Sequence, residues 1–287
     1  MALQLLFIGL AMGMIYSLMA MGLILIVKAV GVLNFAHGEL FMVGAYVCFL
    51  LTVQTNLPFI ATLFCALAIF FLFGALFMFS VYWPLRNAEW PICVVISTLG
   101  ASIALKEAVR LIWGPFPMRV KPLIAGFSNL GPVRLQNQYF VIMLVSSVLI
   151  AFVFILFEKM RIGRMMQAAA QNRYAAELLG IPTIVTITAT YMISTTLSGM
   201  GGWLSSPIFM VSQTLGVFAL YAFAGIVIGG FGSIKGAVVG SVLIGILKSY
   251  SILVTTHYND VIVFMALILT LMIRPQGIFG EKIDEKA

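Results

Sequence analysis

Hydrophobic positions along this chain fall in long runs, and polar residues only punctuate them. The runs cover 3–27, about 31–53, 57–80, 91–112, 138–157, 183–204, 215–231, 236–254 and 258–273. A helix needs about 20 apolar residues to cross a bilayer. The pattern therefore predicts an all-α polytopic membrane protein with about nine transmembrane segments, eight to ten being compatible with the run lengths. The second, seventh and ninth runs are short, and short runs can be re-entrant.

The second run is the informative one. Leu40 to Val53 would rise only about 20 Å as a helix, short of the roughly 30 Å hydrocarbon core. Residues 29–40 must then supply part of the crossing through a broken helix or a loop that dips into the membrane. This places Asn34, Phe35, His37, Gly38 and Glu39 at some depth, beside glycine breaks at Gly31 and Gly38. A carboxylate at depth is costly unless it faces protein, water or a positive partner. Two readings follow. Asn34 and Glu39 can cap a helix start while His37 satisfies a backbone carbonyl, or the five residues can line or gate a translocation path.

Composition narrows the class. Of 287 residues, 62% are hydrophobic and 9% charged, and the mean hydropathy is +1.14. A water-soluble packed domain is excluded on this balance, and no polar segment is long enough for one, so residues 1–287 read as a single membrane domain. The net charge of +7 is explained by the basic bias of cytoplasmic loops rather than by nucleic acid. Cys48, Cys65 and Cys93 lie in apolar runs without metal-ligand spacing and read as packed or lipid-facing thiols. The start, Met-Ala-Leu-Gln-Leu-Leu-Phe, lacks the basic region of a signal peptide, so the first run is expected to stay in the membrane.

Orientation rests on residues 158–182, where Lys159, Arg161, Arg164 and Arg173 outweigh Glu158 and Glu177. With that stretch cytoplasmic, alternation puts Arg86, Glu89 and the C-terminal tail from Arg274 inside. It puts the N-terminus, the loop 114–137 and His257 to Asp260 outside. Arg119, Lys121 and Arg134 run against this scheme. Lys106, Glu107 and Arg110 sit at helical spacing near the outer end of the fourth run and are expected to pair with one another, contact with a binding protein being the alternative. Small residues at Gly9 and Gly13, at Ser198 to Gly202, and at Gly236 and Gly240 suit close helix packing.

The stretch 163–182 predicts a short helix over Gln167–Leu179, with Gly180 past its end and Pro182 opening the next element. Its apolar positions Ala168, Ala175, Leu178 and Leu179 make one face. Alanine-rich faces suit a close protein partner better than lipid headgroups.

Five blocks, taken together in order, resemble the permease subunits of bacterial ATP-binding-cassette importers for branched-chain amino acids, of the shorter permease type. They are Val32 to Tyr46, Ser97-Thr-Leu-Gly100 with Trp113-Gly-Pro115, Gly163 to Pro182, Gly229-Gly-Phe-Gly-Ser233 with Gly236, and Arg274-Pro-Gln-Gly277. The resemblance implies a multi-pass protein of the bacterial inner membrane with a cytoplasmic C-terminus, which moves leucine, isoleucine or valine and is not itself an enzyme. It implies partners: a second homologous permease or a copy of this chain, two ATPase subunits that bind the ATP and magnesium, and a periplasmic substrate-binding protein. It also implies that residues 158–182 are the ATPase-coupling loop, through Gly163, Arg164, Gln167, Ala168, Gln171, Asn172, Arg173, Ala176 and Gly180. The sequence agrees that ATP chemistry lies elsewhere, because the nearest phosphate-loop spacing, Gly240 to Gly245, continues into Ile246-Leu247, and no cofactor is expected in this chain. Two positions depart from the family pattern: Gln167 stands where an arginine is usual, and Tyr221 where a lysine is frequent. Urea or short amides stay open as alternative substrates, and a proton-coupled transporter using Glu39 is the reading from another class.

Overall fold

The computed structural model describes residues 2–55, 57–86, 88–130, 133–253 and 258–280. His257 and the tail beyond residue 280, both placed by the charge pattern, lie outside the described residues. Helix α1 spans Ala2–Val30, and α2 spans His37–Phe49 with a π-helical extension over Leu50–Gln54. Helix α3, Phe59–Phe77, continues as a π turn and a 3-10 turn to Leu85. Then come α4 (Ile92–Trp113), α5 (Asn137–Lys159), α6 (Arg161–Gln171), α7 (Arg173–Leu178) and α8 (Thr183–Ser205). A 3-10 turn over Gln213–Val217 leads into α9, Phe218–Gly229, followed by α10, Ile234–Ser251, and α11, Asn259–Ile273.

The fold is helical as expected, with one correction: the loop after α4 holds an antiparallel hairpin, β1 (Phe127–Leu130) on β2 (Val133–Gln136). Each of the nine predicted runs overlaps a helix among the described residues. Among the described residues, however, only six helical segments are both long and apolar enough to cross a membrane, so nine spans are not confirmed. Gln213–Gly229 and Asn259–Ile273 are apolar but shorter. Helix α8 is long enough, at 23 residues, but it is rich in hydroxyls. Those hydroxyls are buried in protein, including Thr186, Thr190, Ser194, Thr195 and Ser198, so α8 has little need of a lipid-compatible surface.

Helices α1 and α8 form the centre and run antiparallel, Gly22 against Ser194 and Ile15 against Gly201. The Ser194 hydroxyl donates to the Gly22 carbonyl at 2.7 Å. Helix α1 lies flush on α10, so close that a Cβ at Gly13 would sit 2.7 Å from the Val242 Cα. Ser17 donates to the Val238 carbonyl at 3.1 Å, and Ser249 to the Leu5 carbonyl at 2.6 Å, clipping the same pair at both ends. The packing is reciprocal: α1 rests on α10 as α8 rests on α3, and α2 lies on α8 as α9 lies on α1. Such reciprocity is what a helical unit used twice in opposite directions produces.

The outer helices are covered unequally. Of the 22 residues of α4, only Val94, Thr98 and Val109 are buried. Leu99, Ile103, Leu111 and Ile112 point away from the bundle.

Candidate functional site

The break between α1 and α2 is built from local chemistry. Gly31 closes α1 at φ +79°, its N–H donating to the Val27 carbonyl at 2.8 Å. The chain then turns back along α1. The Asn34 side-chain oxygen accepts from the Ala36 N–H at 3.0 Å, and the Asn34 carbonyl accepts from the His37 N–H at 3.2 Å, which starts α2. His37 Nε2 lies 2.9 Å from the Met19 carbonyl. A carbonyl only accepts, so Nε2 carries the proton. Met19 lies eleven residues before Val30, roughly 16 Å along the helix axis. Helix α2 thus starts well inside the bundle. With its π-helical extension it runs 18 residues, His37–Gln54, and is itself one of the six segments long and apolar enough to cross, so the structure does not require residues 29–36 to supply part of that crossing.

This arrangement divides the five residues in two. Asn34, His37 and Gly38 are buried and held by packing: the His37 carbonyl accepts from Ser198 at 3.0 Å, and Gly38 lies against the Gly216 carbonyl. Among the described residues, Asn34 Nδ2 and His37 Nδ1 are buried without a partner. Phe35 and Glu39 face α4 instead. The Phe35 N–H donates to Thr98 Oγ1 at 3.2 Å while its ring is 49% exposed. The Glu39 carboxylate rests on Gly216, with Ser102 and Lys106 of α4 beside it. Lys106 was expected to share an ion pair with its own helix. Arg110 takes Glu107 at 3.7 Å, and among the described residues Lys106 enters none.

At the end of the bundle where α5 stops, α6 and α7 project. The single helix expected over Gln167–Leu179 is two helices, because Asn172 is extended (φ −153°) and its side-chain oxygen caps α7 by accepting from the Ala175 N–H at 3.0 Å. Gly163 packs on α5, where a Cβ would lie 2.8 Å from the Phe157 Cα. Gln167 donates to the Phe157 carbonyl at 2.9 Å, so this side chain clips α6 to α5. Ala176 is buried, Ala168 half-buried, and Arg164, Gln171 and Asn172 are exposed. Gly180 adopts φ +79° and ends α7 as predicted. The sequence reading missed Tyr174. With Leu178 one turn on it makes an exposed apolar ridge, each 72% exposed, continued by Leu179 at 82%. The i, i+4 spacing of Tyr174 and Leu178 was the available signal.

Arg173 is occupied inside the loop. Its Nε donates to Glu177 Oε1 at 3.2 Å, and the Thr183 hydroxyl donates to the same oxygen at 2.5 Å, tying α7 to the first residue of α8. Tyr82, at the end of α3, lies beside the Arg173 guanidinium. Thr183, then Arg173, hold the Glu177 carboxyl below its ordinary range. A lowered carboxylate keeps its tie above the ordinary carboxylate pKa and loses it as pH falls through the lowered one. Hydrogen exchange at the α7–α8 junction, taken relative to the intrinsic rate at each pH, is therefore expected to stay flat across neutral and mildly acidic pH and to rise only under strong acid. Glu177→Gln should speed it at neutral pH; an unchanged rate in that variant would show that the tie holds nothing.

Tyr221 has its own cluster. Its hydroxyl donates to Asp260 Oδ1 at 2.7 Å, Lys248 Nζ stands 3.3 Å from that oxygen, and the same ammonium lies 3.4 Å from the Tyr221 ring centroid. Where relatives were expected to carry a lysine in α9, this chain brings one in from α10.

Comparison with known proteins identifies the family. Residues 5–271 match the family described as branched-chain amino acid transport system / permease component. The chain is 32% identical to the high-affinity branched-chain amino acid transport system permease protein LivH of Salmonella typhimurium, over 99% of this chain and 97% of that protein. The Escherichia coli LivH matches to the same extent. The permease protein BraD of Pseudomonas aeruginosa is 30% identical over the same shares. Among solved structures, PsaBC from Streptococcus pneumoniae in complex with Fab aligns over 94% of this chain and 91% of that one, at 13% identity and a TM-score of 0.47. The match across nearly the whole length means that this chain belongs to the family of branched-chain amino acid transport permeases.

Proposed function

We propose that this chain is the membrane-spanning subunit of an ATP-driven importer for leucine, isoleucine and valine, working in the bacterial inner membrane with residues 158–182 and the C-terminus in the cytoplasm. The observation that carries this reading is the projecting α6–α7 element, which is fastened to α5 and α8 by Gln167, Glu177 and Thr183 and carries an apolar ridge outward. A ridge of this kind suits insertion into an ATPase subunit, and its fastenings would carry a push into the two long helices on either side. ATP and magnesium would be held by the two ATPase subunits and the substrate delivered by a periplasmic binding protein. A second permease, homologous or identical, would cover the bare face of α4. Asn34, His37 and Gly38 would hold the turn into the second crossing, with Phe35 and Glu39 on its path side.

The test is uptake in proteoliposomes holding the assembled importer. Radiolabelled leucine should enter only with ATP and binding protein, and collapse of the proton gradient should leave the rate unchanged. Entry that follows the proton gradient without ATP would overturn the importer reading, and a preference for urea over leucine would overturn its substrate.

A further inference from the structure

The bare face of α4 is not uniformly apolar. Leu99, Ile103 and Lys106 share one stripe at helical spacing, all exposed, and Thr98 and Ser102 form the adjoining stripe towards α2. Against that second stripe stand Phe35, bonded to Thr98, and one helical turn later Glu39, flanked by Ser102 and Lys106. Helical spacing from the Phe35–Thr98 bond thus brings the half-buried carboxylate of Glu39 on α2 and the exposed ammonium of Lys106 on α4 into one neighbourhood, without closing them into an ion pair. Among the described residues neither is used in an ion pair. The neighbouring charges of α4, Glu107 and Arg110, are paired with each other. Beside the charged pair lie the exposed side chains of Phe35, Leu99 and Ile103. The Tyr221 cluster makes a useful contrast: there Lys248 and Asp260 are closed on each other and on a tyrosine, which leaves no vacant partner for a ligand.

Isolated charges inside a membrane protein are expensive and are kept where something passes that needs them. Two opposite charges, separated and flanked by an aliphatic and aromatic wall, are complementary to a small zwitterion with a branched apolar side chain. We propose that Glu39 and Lys106 form a transit station that takes the α-ammonium and the α-carboxylate of the amino acid, with the Phe35, Leu99 and Ile103 wall taking its side chain. Ser102 positions the Glu39 carboxylate, and Gly216 leaves the room in which it lies: a Cβ there would stand 3.1 Å from Glu39 Oε1. The station rests on the importer reading and adds to it the residues that read the substrate after delivery.

The experiment uses the complete importer in proteoliposomes, with leucine uptake and ATP hydrolysis stimulated by the binding protein measured together. Glu39→Gln and Lys106→Gln should each cut the leucine moved per ATP about tenfold, the loss of one charge-assisted contact, with hydrolysis retained. Exchanging the charges, Glu39→Lys with Lys106→Glu, should recover a large part of the ratio, because a small zwitterion can enter reversed. Single variants with the wild-type ratio overturn the station and leave the importer standing. A proportional fall in uptake and hydrolysis, unrelieved by the exchange, makes the pair a structural tie and also overturns it. Wild-type vesicles that move no leucine overturn the importer, and the station with it.

Discussion

Substitution of Gly202 by valine is expected to remove most of the folded protein from the membrane. Gly202 lies in α8, the buried central helix, where it abuts the Phe41 carbonyl of α2, and an added Cβ would meet that carbonyl and stand 3.1 Å from the Ala45 N–H. Neither neighbour is a flexible side-chain end. The α2 and α8 backbones would have to separate, disturbing the Ser198 bond to the His37 carbonyl only one turn away. Overpacking a core typically costs about 1–3 kcal/mol, and more where backbone must move. Gly100→Val is the control, since a Cβ there meets nothing within 4 Å. Size-exclusion chromatography of detergent-solubilised protein should show a several-fold loss of the monodisperse peak for the first variant and none for the second. Equal recovery of both would contradict the close crossing of α2 and α8.

Uptake should collapse when the α7 ridge is made polar. Tyr174→Ala combined with Leu178→Asp removes two side chains that touch little of the bundle, each 72% exposed, so the chain itself should fold normally. Buried aromatic and aliphatic anchors at a protein interface commonly contribute about 2 kcal/mol or more each, roughly thirtyfold in affinity. The double variant is therefore expected to lose the co-purifying ATPase and nearly all ATP-dependent leucine uptake. A helix that only lies on lipid headgroups would give a different result, with altered membrane association of the loop and intact uptake. Retained ATPase in the purified complex would decide against docking through this ridge.

Much of this was legible from residue order because it is governed by local chemistry. Gly31 announced the break after α1, and Gly31, Asn34 and His37 build it with contacts a few residues apart or to the helix just before. The shortfall counted from Leu40 did not hold, because the helix begins at His37 and runs on to Gln54. Gly180 ended α7 where a C-terminal glycine should. Other features depend on neighbours remote in sequence. The polarity of α8 became compatible with the membrane only through burial between α1, α2 and α3. Lys106 looked like part of a charged patch on its own helix until α2 brought Glu39 across. Gln167 read as a missing arginine, and its tie to the Phe157 carbonyl depends on how sharply the chain folds back after α5. The split at Asn172 was missed because good helix formers on both sides masked an asparagine able to cap the second helix.

Helix α4 is fastened near its two ends. At its start Ser97 donates to the Val81 carbonyl at 3.1 Å and Thr98 receives the Phe35 N–H, and just past its last residue the Gly114 carbonyl receives Gln213 at 3.3 Å. Between these anchors the stripe from Leu99 to Ile112 touches little of its own chain. Its other side stays seated, Ala101 and Leu105 against one buried cluster and Val109 within another, so the helix works like a plank nailed along one edge: a neighbour can be laid on or lifted from the free edge without loosening any of its own fastenings.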